Sequence, residues 1–168
     1  MQRADAWGED VAPDRYLERC RLKTASLFEA SCRLGALFGG RPDLAPALGQ
    51  FGERLGVAFH MLDDVLDVSG PAERTGKPRG ADLLDGTVTL PLILARRQDP
   101  TLPGAVTTPQ QAEAVCDRIA ATGALEQARK QALAHVNAAK HALDGLQLSE
   151  RRAQALHLVA DGVVERYA

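Results

Sequence analysis

The sequence predicts an all-α protein. Apolar residues recur at helical spacing almost throughout, no stretch alternates apolar and polar as a half-buried strand would, and glycine and proline interrupt the helical pattern at intervals. A chain of 168 residues is long enough for one domain with a sizeable core, so residues 1–168 are read as one domain.

The elements follow in order. A short helical piece is expected before Gly8. One long helix then occupies about 13–38 and stops at Gly39-Gly40. Its second half, TASLFEASCRLGALFG, is apolar or small nearly all round, so it needs neighbours on more than one side. The next helix starts near Pro42-Asp43, runs to about Val68 and ends at Ser69-Gly70. Gly52 and Gly56 within it each cost up to ~1 kcal/mol of helix propensity relative to alanine. They are read as places where another backbone or a ligand comes close.

Residues 69–86, SGPAERTGKPRGADLLDG, form a punctuated loop with one helical turn at Ala81–Leu84. A helix is expected from about Thr87 to Gln98, and DPTLPGAVTTP is a surface linker. Thr108-Pro109-Gln110-Gln111 has the form of a capping box with proline at the first helical position. Three helices finish the chain, at about 109–121, 124–144 and 150–167, the last capped by Ser149.

Composition narrows the function. Hydrophobic residues at 45% and charged residues at 25% are ordinary for a soluble globular protein. A net charge of −2 gives no global pull toward nucleic acid or anionic lipid, and 4% aromatic residues argue against a base-stacking platform. The N-terminus MQRADAWGED has no signal-peptide run, and no apolar stretch is long enough to span a bilayer. Cys20, Cys32 and Cys116 lack metal-ligand spacing and read as reduced, buried thiols, so a cytoplasmic location is expected.

The chemistry concentrates in FHMLDDVLD. At 100° per residue, His60, Asp63, Asp64 and Asp67 fall within about a third of the helix circumference. Glu53 lies on the same stripe two turns earlier, and the remaining positions are apolar. A solvated face usually mixes signs, because like charges at i,i+4 destabilise a helix by about 0.2–0.5 kcal/mol per pair. No lysine or arginine lies on this stripe between Asp63 and Asp67. A narrow row of oxygen ligands on a greasy helix suits a hard cation. Mg²⁺ fits because it takes one or two carboxylates together with water and phosphate oxygens. His60 is read as a hydrogen-bond donor to a carboxylate or phosphate oxygen, not as a metal ligand.

Taken together, GERLGVAFHMLDDVLD, TGKPRGADLLDG and TVTLPLIL resemble the second aspartate-rich region of the trans-isoprenyl diphosphate synthases, the polyprenyl synthetase family. YLERCRLKTASLFEASCRLGA resembles that family's lysine-threonine helix, and ALHLVADGVVERYA its last helix. The resemblance implies the C-terminal half of the isoprenoid synthase helical bundle. It implies condensation of an allylic diphosphate with isopentenyl diphosphate, in which Mg²⁺ ions and lysines stabilise the departing diphosphate. On the matching positions, Asp63 is the main Mg²⁺ ligand, with Asp64 and Asp67 binding directly or through metal-bound water. Lys23 and Lys77 match diphosphate-contacting lysines, and Thr24 and His60 join the substrate-binding set.

Three departures accompany it. His60 stands where the family usually has glutamine, and Thr87 where it has a lysine. The first aspartate-rich motif is not found in this sequence. A partner is therefore expected: a half-length synthase subunit carrying that motif, giving a heteromeric enzyme inactive without it. The competing reading is a non-catalytic subunit that binds and modulates a prenyl diphosphate synthase.

Overall fold

The computed structural model describes residues 5–8, 11–70, 76 and 78–167, all helix, turn or loop, with no strand among them. The helices are α1 (Pro13–Cys20), α2 (Ser26–Phe38), α3 (Ala45–Ser69), α4 (Ala81–Leu84), α5 (Leu90–Arg96), α6 (Pro109–Ala121), α7 (Ala124–His141) and α8 (Glu150–Glu165). The all-helical fold is as expected. The residues of the expected single half-bundle sort into two compact units. One comprises 1–19 and 61–130, the other 20–60 and 131–168, and α3 contributes to both.

Several boundaries differ from expectation for local reasons. The helix expected over 13–38 contains a π turn at Arg21–Ala25, an insertion that periodicity does not reveal. The helix expected from Thr87 begins at Leu90, because Pro91 belongs in a first turn and leaves Thr89 extended at the cap. Residues 1–4 of the expected first helical piece lie outside the described residues, and those that follow, from Asp5 to Trp7, form a bend and turn. Ser149 does sit at the cap of α8, but its side chain makes no capping hydrogen bond. The Thr108–Gln111 capping box forms in full.

In the unit containing α2, the two glycines of α3 mark close backbone approach. A Cβ on Gly56 would lie 2.6 Å from the Cα of Ala25, and one on Gly52 would lie 2.5 Å from the carbonyl oxygen of Phe28. This lets the π turn and α2 settle directly on α3, with Ala25, Phe51 and Leu55 buried. Cys32, expected to be buried, is only half-buried at the edge of that contact, beside Gly52. In the other unit, Val65, Val68, Leu83, Val88 and Leu90 are buried around the C-terminal turns of α3.

Candidate functional site

The acidic stripe forms as one helix side, and its members are held differently. Asp63 is half-buried. Asp64 is 4% exposed and Asp67 1% exposed. The Tyr16 hydroxyl donates to Oδ2 of Asp64 at 2.8 Å. Above the Tyr16 ring lies the Arg19 guanidinium, 5.3 Å from its centroid, which also donates to the carbonyl of Val88.

Asp67 ties the helix to the following loop. Its Oδ2 accepts from the backbone N–H of Asp82 at 3.1 Å, and its carbonyl accepts from the N–H of Gly80 at 2.9 Å. Gly80 has φ +75°, and a Cβ there would crowd the Cys116 sulfur at 3.0 Å and the Ala112 Cβ at 3.1 Å, so the loop turns here only with glycine. Arg79 completes the anchor by pairing with Asp117 at 2.7 Å.

Burial and the neighbouring charge of Asp82 push the Asp64 carboxyl up to about 8, with Asp63 adding to the rise. The Tyr16 hydrogen bond and the positive charge of Arg19 oppose it. The Cys116 thiol, pushed up to about 11 mainly by burial, is inert at neutral pH.

In the second unit, Lys23 is exposed and Thr24 half-buried within the π turn. The Thr24 hydroxyl and His60 Nδ1 are 2.8 Å apart, so His60 is a hydrogen-bonding side chain with a threonine hydroxyl as one partner. Glu53 pairs with Arg21 at 3.2 Å. Lys77 lies outside the described residues. Thr87 is buried, and its N–H donates to the carbonyl of Asp82 at 2.8 Å.

Among the described residues, no group of three histidine, cysteine, aspartate or glutamate side chains converges as a ready-made metal cage. The donor set still fits Mg²⁺, which binds through one or two carboxylates and completes its shell with water and phosphate oxygens. Tyr16, Arg19 and Asp82 did not emerge from sequence reasoning. Tyr16 is 48 residues from Asp64, with no local signal linking them. Asp82 stands in the GADLLDG segment, where its acidity was the available cue. No helix of the described residues is long and apolar enough to cross a membrane.

Comparison with known proteins points to one family. The family model described as Polyprenyl synthetase matches residues 1–134. Heptaprenyl diphosphate synthase component 2 of Geobacillus stearothermophilus is 40% identical over 143 residues, covering 82% of this chain and 45% of that protein. Geranylgeranyl diphosphate synthase of Methanosarcina mazei is 34% identical, covering 93% of this chain and 49% of that protein. Among solved structures, polyprenyl synthase from Caulobacter crescentus CB15, complexed with calcium and isoprenyl diphosphate, superposes with a TM-score of 0.90 at 32% identity. That superposition covers 99% of this chain and 54% of the other. The chain thus spans about half the length of the relatives it matches.

Proposed function

Because the chain belongs to the polyprenyl synthetase family, we propose that it supplies the second Mg²⁺/diphosphate wall of a heteromeric trans-isoprenyl diphosphate synthase. The opposite wall, with the first aspartate-rich motif, comes from a half-length partner subunit. The substrates are an allylic diphosphate and isopentenyl diphosphate.

One observation carries the reading: Asp63 stays half-exposed while its neighbours Asp64 and Asp67 are buried and fixed into the protein by hydrogen bonds. Asp63 is the direct Mg²⁺ ligand in this proposal, while Asp64 and Asp67 act through metal-bound water. Mg²⁺, when bound, supplies the positive charge that stabilises a departing diphosphate. Lys23 and Lys77 bind the diphosphate as point charges, and Thr24 and His60 set the polar surface beside Lys23.

Support for a partner comes from α2 and the turn before it. Leu22, Leu27, Leu34, Leu37 and Phe38 are exposed, Phe38 by 88%. Leu27, Ala30, Leu34 and Leu37 repeat at i, i+3, i+7 and i+10, the spacing of a helix-packing seam. A helix buried on one side and apolar on the other needs a second cover.

The test is prenyl transfer with Mg²⁺ by this chain, by a half-length partner and by their mixture. Activity is expected in the mixture alone, and Asp63→Ala should reduce it by about 100-fold or more. Activity in the mixture that is indifferent to Asp63→Ala would instead favour the modulating-subunit reading, which draws on Thr87 standing where relatives are expected to have lysine.

A further inference from the structure

We propose that Tyr16 is a positioning residue for the metal wall: its hydroxyl holds the Asp64 carboxyl in place beside Asp63, and Arg19 clamps the Tyr16 ring. The inference rests on the Mg²⁺/diphosphate reading above and extends it to two residues that carry no metal-ligand chemistry themselves.

Successive residues on a helix point about 100° apart. Asp63 and Asp64 therefore cannot aim at one ion equally, and the structure makes the division plain by burying Asp64. A buried carboxyl with rotational freedom is a poor support for a water-mediated metal contact. Tyr16, itself 0% exposed, removes that freedom by occupying one Asp64 oxygen at 2.8 Å. A buried tyrosine hydroxyl needs a partner in any case, so the bond serves both groups.

The ring is restrained in turn. Arg19 is 4% exposed, lies over the Tyr16 ring and bonds the carbonyl of Val88. Val88 follows Thr87, whose N–H is bonded to Asp82, and the N–H of Asp82 bonds Asp67. The tyrosine–arginine stack thus joins α1 to the loop that fixes the last acid of the stripe. Partners of this kind, behind the ligands, typically change metal affinity by about 10–100-fold when removed.

The bland alternative is that Tyr16 is a filler of the core, and phenylalanine separates the two roles because it keeps the ring and deletes the hydroxyl. The experiment is calorimetric titration of the purified full chain with Mg²⁺ and inorganic pyrophosphate. It uses wild type, Tyr16→Phe, Asp64→Asn and the double variant, with thermal unfolding of each. Tyr16→Phe should bind about tenfold more weakly than wild type, and should cause no further loss on the Asp64→Asn background, since it acts through that carboxyl.

Binding by Tyr16→Phe within about twofold of wild type, or a full additional loss in the double variant, overturns the proposal and leaves the metal wall standing. Failure of the wild-type chain to bind Mg²⁺ and pyrophosphate overturns the metal-wall reading, and this inference with it. Should Tyr16→Phe fail to fold, the same cycle with Arg19→Gln decides. There a loss of about threefold, absent on the Asp64→Asn background, supports the clamp, and no loss overturns it.

Discussion

The acid-bearing end of α3 and the lysine-bearing helix before it are built on opposite plans. Asp64 and Asp67 are drawn inward, one oxygen of the first bonded to the Tyr16 hydroxyl and one of the second to the backbone N–H of Asp82. Around Lys23 the charge is exposed, and the helix that follows shows leucines and a phenylalanine on its surface. The first region is finished within this chain, while the second is packed on one side only. A buried carboxyl is tolerated when its hydrogen bonds are fixed beforehand. An exposed apolar seam has no such internal solution, and in the proposed assembly the partner subunit covers it.

That contrast is most directly broken at the seam. Leu34→Glu replaces an exposed leucine, so the stability of the isolated chain should change by no more than about 0.5 kcal/mol. Assembly with a half-length partner should weaken by about 100-fold, as expected when a charge is forced into a packed helix contact. Sedimentation of the mixture, set beside urea unfolding of the chain alone, reads both quantities. Unchanged assembly would show that α2's leucines are ordinary exposed residues.

Gly56→Ala probes the packed side of the same helix pair. The added methyl meets the Ala25 Cα at 2.6 Å, and because that atom is backbone the helices must separate. Overpacking costs about 1–3 kcal/mol, more than the ~1 kcal/mol that alanine gains in helix propensity. A lower urea midpoint is expected. A higher one would mean that the contact yields easily and that glycine is not required.

Asp64→Asn sharpens the comparison from the acidic side. Folding raises this carboxyl from its ordinary 3.8 to about 8. Between those values the native state keeps a proton that the unfolded chain has released, so stability falls as pH rises through the window. Asparagine keeps the shape and removes the titration. Without divalent metal, the variant should match wild type near pH 4 and exceed it near pH 8 by on the order of 1–2 kcal/mol. Equal stability at both ends would mean that the buried acid is solvated more fully than its surroundings suggest.

How much of this was legible in the sequence follows from how local each signal is. The stripe of Asp63, Asp64 and Asp67, the loop with its turn at Ala81–Leu84 and the Thr108 capping box depend on residues within a few positions of one another. Gly52 and Gly56 announced a close approach without saying to what, because Ala25 and Phe28 lie a whole helix earlier. The π turn around Lys23 was hidden, since one inserted residue shifts the helical phase without changing composition. Tyr16 and Arg19 were hidden for the same reason as any tertiary contact: the sequence of α1 carries no record of the acid 48 residues on.

Thr87 is the smallest lever on the comparison, because a change there adds a charge while leaving the loop's backbone bond in place. Its side chain is buried and its N–H holds the Asp82 carbonyl, a backbone bond that any residue except proline retains. Thr87→Lys therefore leaves the 80–82 loop tied to Asp67 and adds one ammonium on a long flexible stem beside the acid wall. A lysine stem can run along apolar surface and bring its head to water, where a single added charge contributes up to about 1 kcal/mol, or roughly fivefold in affinity. Binding of Mg²⁺ with pyrophosphate should tighten by that factor, and the gain should shrink as salt rises. If the variant binds no better, the missing lysine is not what limits diphosphate affinity, and the exposed Lys23 becomes the charge to vary next.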